Sequence, residues 1–381
     1  MIKYIFIRCV RYTVIFLSVA AISLGIPFSA GAYSARSMIL MEESTETILV
    51  DINCNKVLPM ASTTKIMTAL VVLENADLNA NVVIPAQACG VEGSSMYLIA
   101  GETLSVRDLL YGLMLTSGND AAVALAIHVG GSEQRFVEMM NERAASLGLR
   151  DTNFANPSGL PDDSHHTTAR ELAIITAHAL ENDTFREIVS SESAKVPYNN
   201  NPNGRTLKNH NKLLYMYDSA IGVKTGFTKK AGRCLVSAAQ RDGVTLICVT
   251  LNDGDDWNDH MTAFDYGFSK AQRLSLAGAG EVAVELQTPD GKTVTAVNKN
   301  DISTVVFEES SVSSVIKAEK FVYSPKAAGD VVGSVSFFVN GQQVGQDELC
   351  ITEAIEAPPQ RKELLFTRII NAVKNFFKGL F

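Results

Sequence analysis

The order in which hydrophobic periodicity changes along this chain restricts its fold more than any other feature. Residues 38–41 and 48–52 read as short apolar strands around a Glu-Ser-Thr-Glu turn, which predicts a hairpin. From Ser62 the period becomes helical, with Ile66, Met67, Leu70, Val71 and Leu73 recurring at helical spacing as far as Asn75. Helical patterns continue over 106–115, 121–129, 134–147 and 168–180, broken by Gly-rich or Asn-Pro turns. Strand character returns at 220–224, 234–239 and 244–251, the last two joined by Arg241-Asp242-Gly243, and a helix over 257–271 closes the region. Strands at both ends with helices between them predict one α+β domain, residues 33–272, whose ends meet in a single antiparallel sheet beside a helical block.

Beyond Leu276 the helical period disappears. Short strands at 282–286, 293–297, 303–307, 332–339 and 343–344, with Pro289-Asp290-Gly291 and Asn340-Gly341 turns, predict a small all-β domain over 276–356. Ala357-Pro358-Pro359 then makes a linker, and 357–381 ends in an amphipathic helix. There Leu365, Ile369, Val373, Phe376, Phe377 and Leu380 share one face, with Lys362, Arg368, Lys374 and Lys378 on the other. The segment lacks the apolar run of about 20 residues needed to cross a bilayer, so it is expected to lie on a membrane surface; a helix docked on the β domain is the alternative.

At the other end, residues 1–32 carry Lys3, Arg8 and Arg11, an apolar run over 14–26, Pro27, and Ala30-Gly31-Ala32. This is the pattern of a cleaved secretory signal, with a single membrane anchor as the rival; either way the remainder is exported. With 33 Lys and Arg against 41 Asp and Glu, the chain has no basic field to draw in a phosphate backbone, and no nucleic-acid partner is expected. Cys54, Cys89, Cys234, Cys248 and Cys350 form an odd, widely spaced set that implies no disulfide framework. No H-E-x-x-H pair exists, and Asp253, Asp255, Asp256 and Asp259 lack calcium-loop spacing, so neither a metal nor a cofactor is expected.

Three short motifs carry chemistry. Ser62-Thr63-Thr64-Lys65 opens the first helix, where i and i+3 share a face and a desolvated lysine can take a serine proton. An N-cap serine beside a solvated lysine has the same pattern, and a second S-x-x-K at Ser314 to Lys317, inside the β domain, shows how easily it arises. Ser117-Gly118-Asn119 lies between two helices, projecting a hydroxyl and a carboxamide from a tight turn, or else simply capping a helix. Lys224-Thr225-Gly226 ends a strand, placing a cation and a hydroxyl on a sheet edge beside a glycine that lets a substrate backbone approach, or else marking an ordinary strand exit.

Together Pro59-Met60-Ala61-Ser62-Thr63-Thr64-Lys65, Leu115-Thr116-Ser117-Gly118-Asn119-Asp120-Ala121-Ala122 and Val223-Lys224-Thr225-Gly226-Phe227-Thr228 closely resemble the active-site motifs of the low-molecular-mass penicillin-binding proteins, the serine D-alanyl-D-alanine carboxypeptidases of peptidase family S11. The resemblance extends through Asn153-Phe154-Ala155-Asn156-Pro157-Ser158-Gly159-Leu160 and His166-Thr167-Thr168-Ala169-Arg170, and through the domain plan. It implies a β-lactamase/transpeptidase-like catalytic domain that removes the terminal D-alanine from peptidoglycan stem pentapeptides and is acylated by β-lactams. It implies Ser62 as nucleophile, Lys65 as proton acceptor and Ser117 as proton relay, with Asn119, Lys224, Thr225 and Gly226 binding substrate. The backbone amides of Ser62 and Phe227 would form the oxyanion hole. Several relatives carry an arginine where Asn209-His210-Asn211 stands; Lys208 or Arg205 is a candidate substitute, or else a solvated loop cation. The pair His165-His166 reads as solvent-facing and outside the chemistry.

The rival readings are a class A β-lactamase and a catalytically idle penicillin-binding scaffold. The middle of the chain offers no E-x-x-L-N, which weighs against the first, and intact motifs weigh against the second. The resemblance places the protein at the outer face of the cytoplasmic membrane, held peripherally by its C-terminal helix. A preference between carboxypeptidase and endopeptidase action stays open.

Overall fold

The computed structural model describes residues 33–198, 201–307, 310–356, 369, 370, 373–375 and 378, with the backbone alone at 201 and 202. The expected signal segment 1–32 and most of the tail lie outside these residues. The described chain forms two compact units, one ending at Gln272 and the other beginning at Arg273.

The first unit opens with β1 (Ser37–Glu42) and β2 (Ile48–Ile52), followed by a single 3-10 turn, Ala61–Thr64, that runs into α1 (Lys65–Asn75). There follow β3 (Asn81–Val83), β4 (Thr103–Ser105), α2 (Val106–Leu115), α3 (Asn119–Gly130), α4 (Glu133–Ser146), α5 (Ala169–Leu180) and α6 (Asp183–Ser190). After β5 (Ser193–Tyr198), β6 (Asn201–Lys208) and the short α7 (Leu213–Met216) come β7 (Ala220–Thr228), β8 (Gly232–Arg241), β9 (Val244–Leu251) and α8 (Asp256–Lys270). The main sheet has five antiparallel strands in the order β2-β1-β9-β8-β7, so the N-terminal hairpin and the last three strands do meet in one sheet.

Every residue of β9 is buried, as both faces of the sheet are covered. Ile39, Met41, Ile247 and Val249 face the core shared with the helical block, whereas Leu40 and Leu246 lie against Gly267 of α8. In the helical block, the first eight residues of α1 are all buried, which a helix that is apolar around most of its circumference requires. β7 is one of the two edge strands, β2 being the other, and it runs past the expected end at Lys224 through Thr228.

The second unit contains β10 (Gln272–Ala277), β11 (Ala283–Gln287), β12 (Thr293–Asn298), β13 (Ile302–Val306), β14 (Val312–Ala318), β15 (Val331–Val339) and β16 (Gln342–Ile351). Its sheets are β11-β12-β16-β15-β14 and the pair β10-β13, over a core that includes Leu286, Val335, Phe337 and Leu349. Asn340 and Gly341, with φ of 50° and 86°, turn β15 into β16. Ser314 and Lys317 fall on β14, both exposed; three residues apart on a strand they point to opposite faces, so the second S-x-x-K forms no pair. Among the described residues no helix is long and apolar enough to cross a membrane, and no group of His, Cys, Asp or Glu could hold a metal.

Candidate active site

Ser62 lies on the 3-10 turn, between Ala61, whose φ of 49° is left-handed, and Lys65, the first residue of α1. The Lys65 side chain is fully buried, with Nζ 3.1 Å from Ser62 Oγ. Nζ also donates to Asn119 Oδ1 at 2.7 Å and to the Ser158 carbonyl at 2.5 Å. Both of those oxygens can only accept, so they take two N–H groups and leave the third amine direction facing the serine hydroxyl. When the amine is neutral, that direction is its lone pair. Burial drives the Lys65 pKa well below the usual lysine range, the nearby Lys224 cation lowers it further, and Asp120 opposes both.

Asn119 is held in the matching orientation because its Nδ2 donates to the Glu92 carbonyl at 2.5 Å, while its backbone N–H donates to Ser94 O. The adjacent Asp120, buried, accepts from Ser95 Oγ, Met96 N and Leu98 N, which clips segment 92–98 onto the start of α3. Ser117 precedes this helix in a left-handed conformation with φ 59°, and is 4% exposed.

On the other side, β7 passes directly against the Ser62 turn. A Cβ placed on Gly226 would lie 3.1 Å from both Ser62 N and Thr63 N, so a side chain here would crowd the turn. Lys224 is buried, donates to the Thr225 carbonyl at 2.9 Å, and is pushed by burial down to about 7. Phe227 follows, 66% exposed. The structure thus brings Ser62, Lys65 and Asn119 into one hydrogen-bonded cluster and sets Gly226 against the same turn. Lys224 stands close enough to Lys65 for the two charges to interact.

Several participants escaped the sequence reasoning. Ser158 contributes a carbonyl, which any residue type could supply. Asn156 holds that loop through Oδ1, which accepts from the backbone N–H groups of Ser158, Gly159 and Leu160 and from Ser158 Oγ. Gly159, with φ 87°, packs so tightly on the Ala61–Ser62 peptide that a Cβ would sit 2.0 Å from Ala61 O. The segment 153–160 was visible as part of the resemblance, and Asn-Pro-Ser-Gly as a turn, but nothing in its composition announces these contacts.

The expected solvent-facing histidine pair is corrected for one member. His165 is 3% exposed, within 2.7 Å of Thr64 Oγ1 through Nε2, and its Nδ1 accepts from the Ala155 N–H at 3.0 Å. Arg205 is likewise no solvated cation: its guanidinium pairs with Glu102 at 2.6 Å, with the side chains 9% and 4% exposed, and donates to the Met96 and Tyr97 carbonyls. That leaves it committed to segment 96–102. Lys208 is exposed, and His210, also at the surface, has its pKa lowered by partial desolvation and by the charge of Lys224.

Residues 26–255 match the family model described as D-alanyl-D-alanine carboxypeptidase, peptidase S11, and residues 273–357 match that of the penicillin-binding protein 5 C-terminal domain. The D-alanyl-D-alanine carboxypeptidase DacC of Escherichia coli is 30% identical over 353 residues, covering 86% of each chain. DacF of Bacillus subtilis is 29% identical over 335 residues, covering 84% of this chain and 86% of that one. Among solved structures, penicillin-binding protein 5 from Haemophilus influenzae superposes with a TM-score of 0.64 at 28% identity, over 86% of this chain and 99% of that one. A Streptomyces DD-transpeptidase gives 0.59 at 37% identity, over 62% of this chain and 98% of that one. With a buried lysine hydrogen-bonded to Ser62, and the peptidase S11 model matching residues 26–255, more than half of the chain, this protein belongs to the D-alanyl-D-alanine carboxypeptidase family, peptidase S11.

Proposed function

We propose that the chain performs its family's reaction, removal of the terminal D-alanine from peptidoglycan stem pentapeptides, through an ester on Ser62, and that β-lactams acylate the same hydroxyl. The observation that carries this reading is the Lys65 amine, buried, 3.1 Å from Ser62 Oγ and held by two oxygens that only accept. Lys65 takes the serine proton, and Ser117 relays it to the leaving amine. Lys224 and Thr225 receive the substrate's terminal carboxylate, Asn119 orients the peptide, and Gly226 keeps β7 bare so that the peptide can lie along its free edge. The amides of Ser62 and Phe227 hold the oxyanion. No metal or cofactor enters this scheme.

The carboxypeptidase reading is favoured over a β-lactamase because the segment facing Lys65 presents the Ser158 carbonyl; among the described residues no carboxylate hydrogen-bonds to Lys65 or Ser62. We also assign residues 1–32 to export and 357–381 to peripheral attachment at the outer face of the cytoplasmic membrane. The few described tail residues, Ile369, Ile370 and Val373 among them, are helical, with these three about half exposed. Fluorescent penicillin tests the core of the proposal. It should label the wild type and leave Ser62→Ala unlabelled, while wild-type enzyme converts a muropeptide pentapeptide to the tetrapeptide by mass. Undiminished labelling of the alanine variant refutes the assignment of Ser62.

A further inference from the structure

His165, Thr64 and Ala61 form a hydrogen-bond chain in which each link has one direction. Nδ1 of the ring accepts from the Ala155 N–H, so a neutral imidazole carries its proton on Nε2. Nε2–H therefore donates to Thr64 Oγ1 at 2.7 Å, and the threonine hydroxyl passes its own proton to the Ala61 carbonyl at 2.8 Å. That carbonyl belongs to the peptide whose N–H is that of Ser62. In a trans peptide the C=O and N–H point in opposite directions, so whatever holds the oxygen aims the nitrogen. Gly159, 2.0 Å from Ala61 O if given a Cβ, closes the other approach to the same oxygen. On the opposite side, Ser62 N lies beside Gly226 of the free β7 edge.

The geometry points to His165 as a positioning residue that, through Thr64, fixes the direction of the Ser62 amide and hence of one oxyanion-hole donor. This rests on the reading of Ser62 as nucleophile. The groups facing the ring are Asp162, which favours its protonation, and His166 and Lys65, which oppose it; Phe154 packs edge-on at 5.8 Å. Burial outweighs them and pushes His165 down to about 4, so the ring stays neutral and the chain stays intact at ordinary pH. Protonation puts a second donor on Nδ1, facing the Ala155 N–H, and breaks the first link.

The test uses the full-length protein. Thr64→Val removes the middle hydroxyl with little change of shape, His165→Phe removes both ring nitrogens, and His165→Gln supplies an amide that can accept from Ala155 and donate to Thr64. Benzylpenicillin acylation should slow about 10- to 100-fold in the first two, no further in the double variant, and recover in His165→Gln. The ester carbonyl band of the acyl-enzyme, read by infrared difference spectroscopy, should move to higher wavenumber in Thr64→Val and His165→Phe because the oxyanion-hole hydrogen bond is lost. Folded variants with an unshifted band, or losses that add independently, overturn the proposal. Thr64→Ser, which keeps the hydroxyl in a smaller side chain and so spares the fold, should leave the band where the wild type has it; a shift in Thr64→Ser as large as in Thr64→Val overturns it. A wild type that forms no ester on Ser62 refutes the parent assignment instead.

Discussion

Lys65 and Lys224 are both buried lysines with depressed pKa values, and the proposed mechanism requires opposite protonation states of the two. The base must be neutral, so acylation rises with pH through the Lys65 pKa. The carboxylate receptor must be charged, so binding weakens as pH rises beyond the Lys224 value of about 7, a value an anionic substrate itself raises. A bell-shaped pH profile for acylation efficiency follows, and stopped-flow penicillin binding should show its alkaline limb abolished in Lys224→Arg. Lys65→Arg should instead cost about 10²–10⁴-fold at every pH, because a guanidinium cannot serve as base. An alkaline limb that persists in Lys224→Arg would remove that lysine from carboxylate binding. The same shift has a consequence for stability. A lysine near 7 in the folded protein and near 10.4 unfolded means that the unfolded chain binds more protons between those limits, so stability rises with pH from about 7 to about 10. Urea melts at pH 7 and 9 should show a smaller rise in Lys224→Met than in wild type; equal rises would mean the folded lysine titrates normally. Ser62, Lys65, Asn119 and Lys224 were legible in the sequence because their chemistry belongs to their side chains. Ser158 was not, since it acts through a carbonyl, and the role of His165 depends on a burial that a polar loop does not advertise.

At the scale of elements, periodicity located what is strongly amphipathic or continuously apolar, such as α2, α5 and β9, and it failed where burial is slight. The β5-β6 hairpin, with Pro197 and a run of asparagines, buries Val196 and Leu207, and β14 is exposed along most of its length, so neither leaves an alternating signature. α6 anchors Phe185, Ile188 and Val189 at i, i+3 and i+4 behind an Asn182 cap, but at eight residues its one amphipathic repeat is shorter than the window over which periodicity identifies a helix. The Ser62 turn is a product of several elements: it is framed by α1, β7 and the loop before α5, and Gly159 is where the loop meets it. Gly159→Ala must displace backbone, because the atoms a Cβ would strike are Ala61 O and C and Ser62 N. It should lose about 1–3 kcal/mol of stability and nearly all penicillin acylation. Gly131→Ala is the control, with a comparable φ of 75° and no atom within 4 Å of the added Cβ. It should lose about 1 kcal/mol and acylate normally. Thermal melts and acylation rates on both variants decide the matter: if Gly159→Ala behaves like the control, the contact with the Ala61–Ser62 peptide does not shape the site.

For the whole molecule, the alternation of periodicities implied an α+β unit followed by an all-β one, and the chain does form two compact units. That much was legible because each unit must bury its own core, and the two cores use different periods. The tail obeys a different constraint, since its apolar face has no counterpart to be read from the sequence of either unit. Residues 361–381 place five basic side chains against Glu363, in a chain whose formal net charge is -8. On the proposed peripheral attachment, a surface of anionic headgroups would attract that local sign, at about 1 kcal/mol for each basic residue near it, and the apolar residues of the tail would add burial in the headgroup zone. Both contributions are needed, because a net acidic body is repelled by the same membrane. Full-length protein should therefore sediment with anionic vesicles, and less so at high salt, where the electrostatic part is screened. Chain termination after Ala357 should yield an enzyme that still forms the penicilloyl ester but stays in the supernatant. If the shortened protein pellets with vesicles as the full chain does, the membrane contact lies elsewhere on the molecule; if it no longer acylates, the tail belongs to the folded body instead of serving as its anchor.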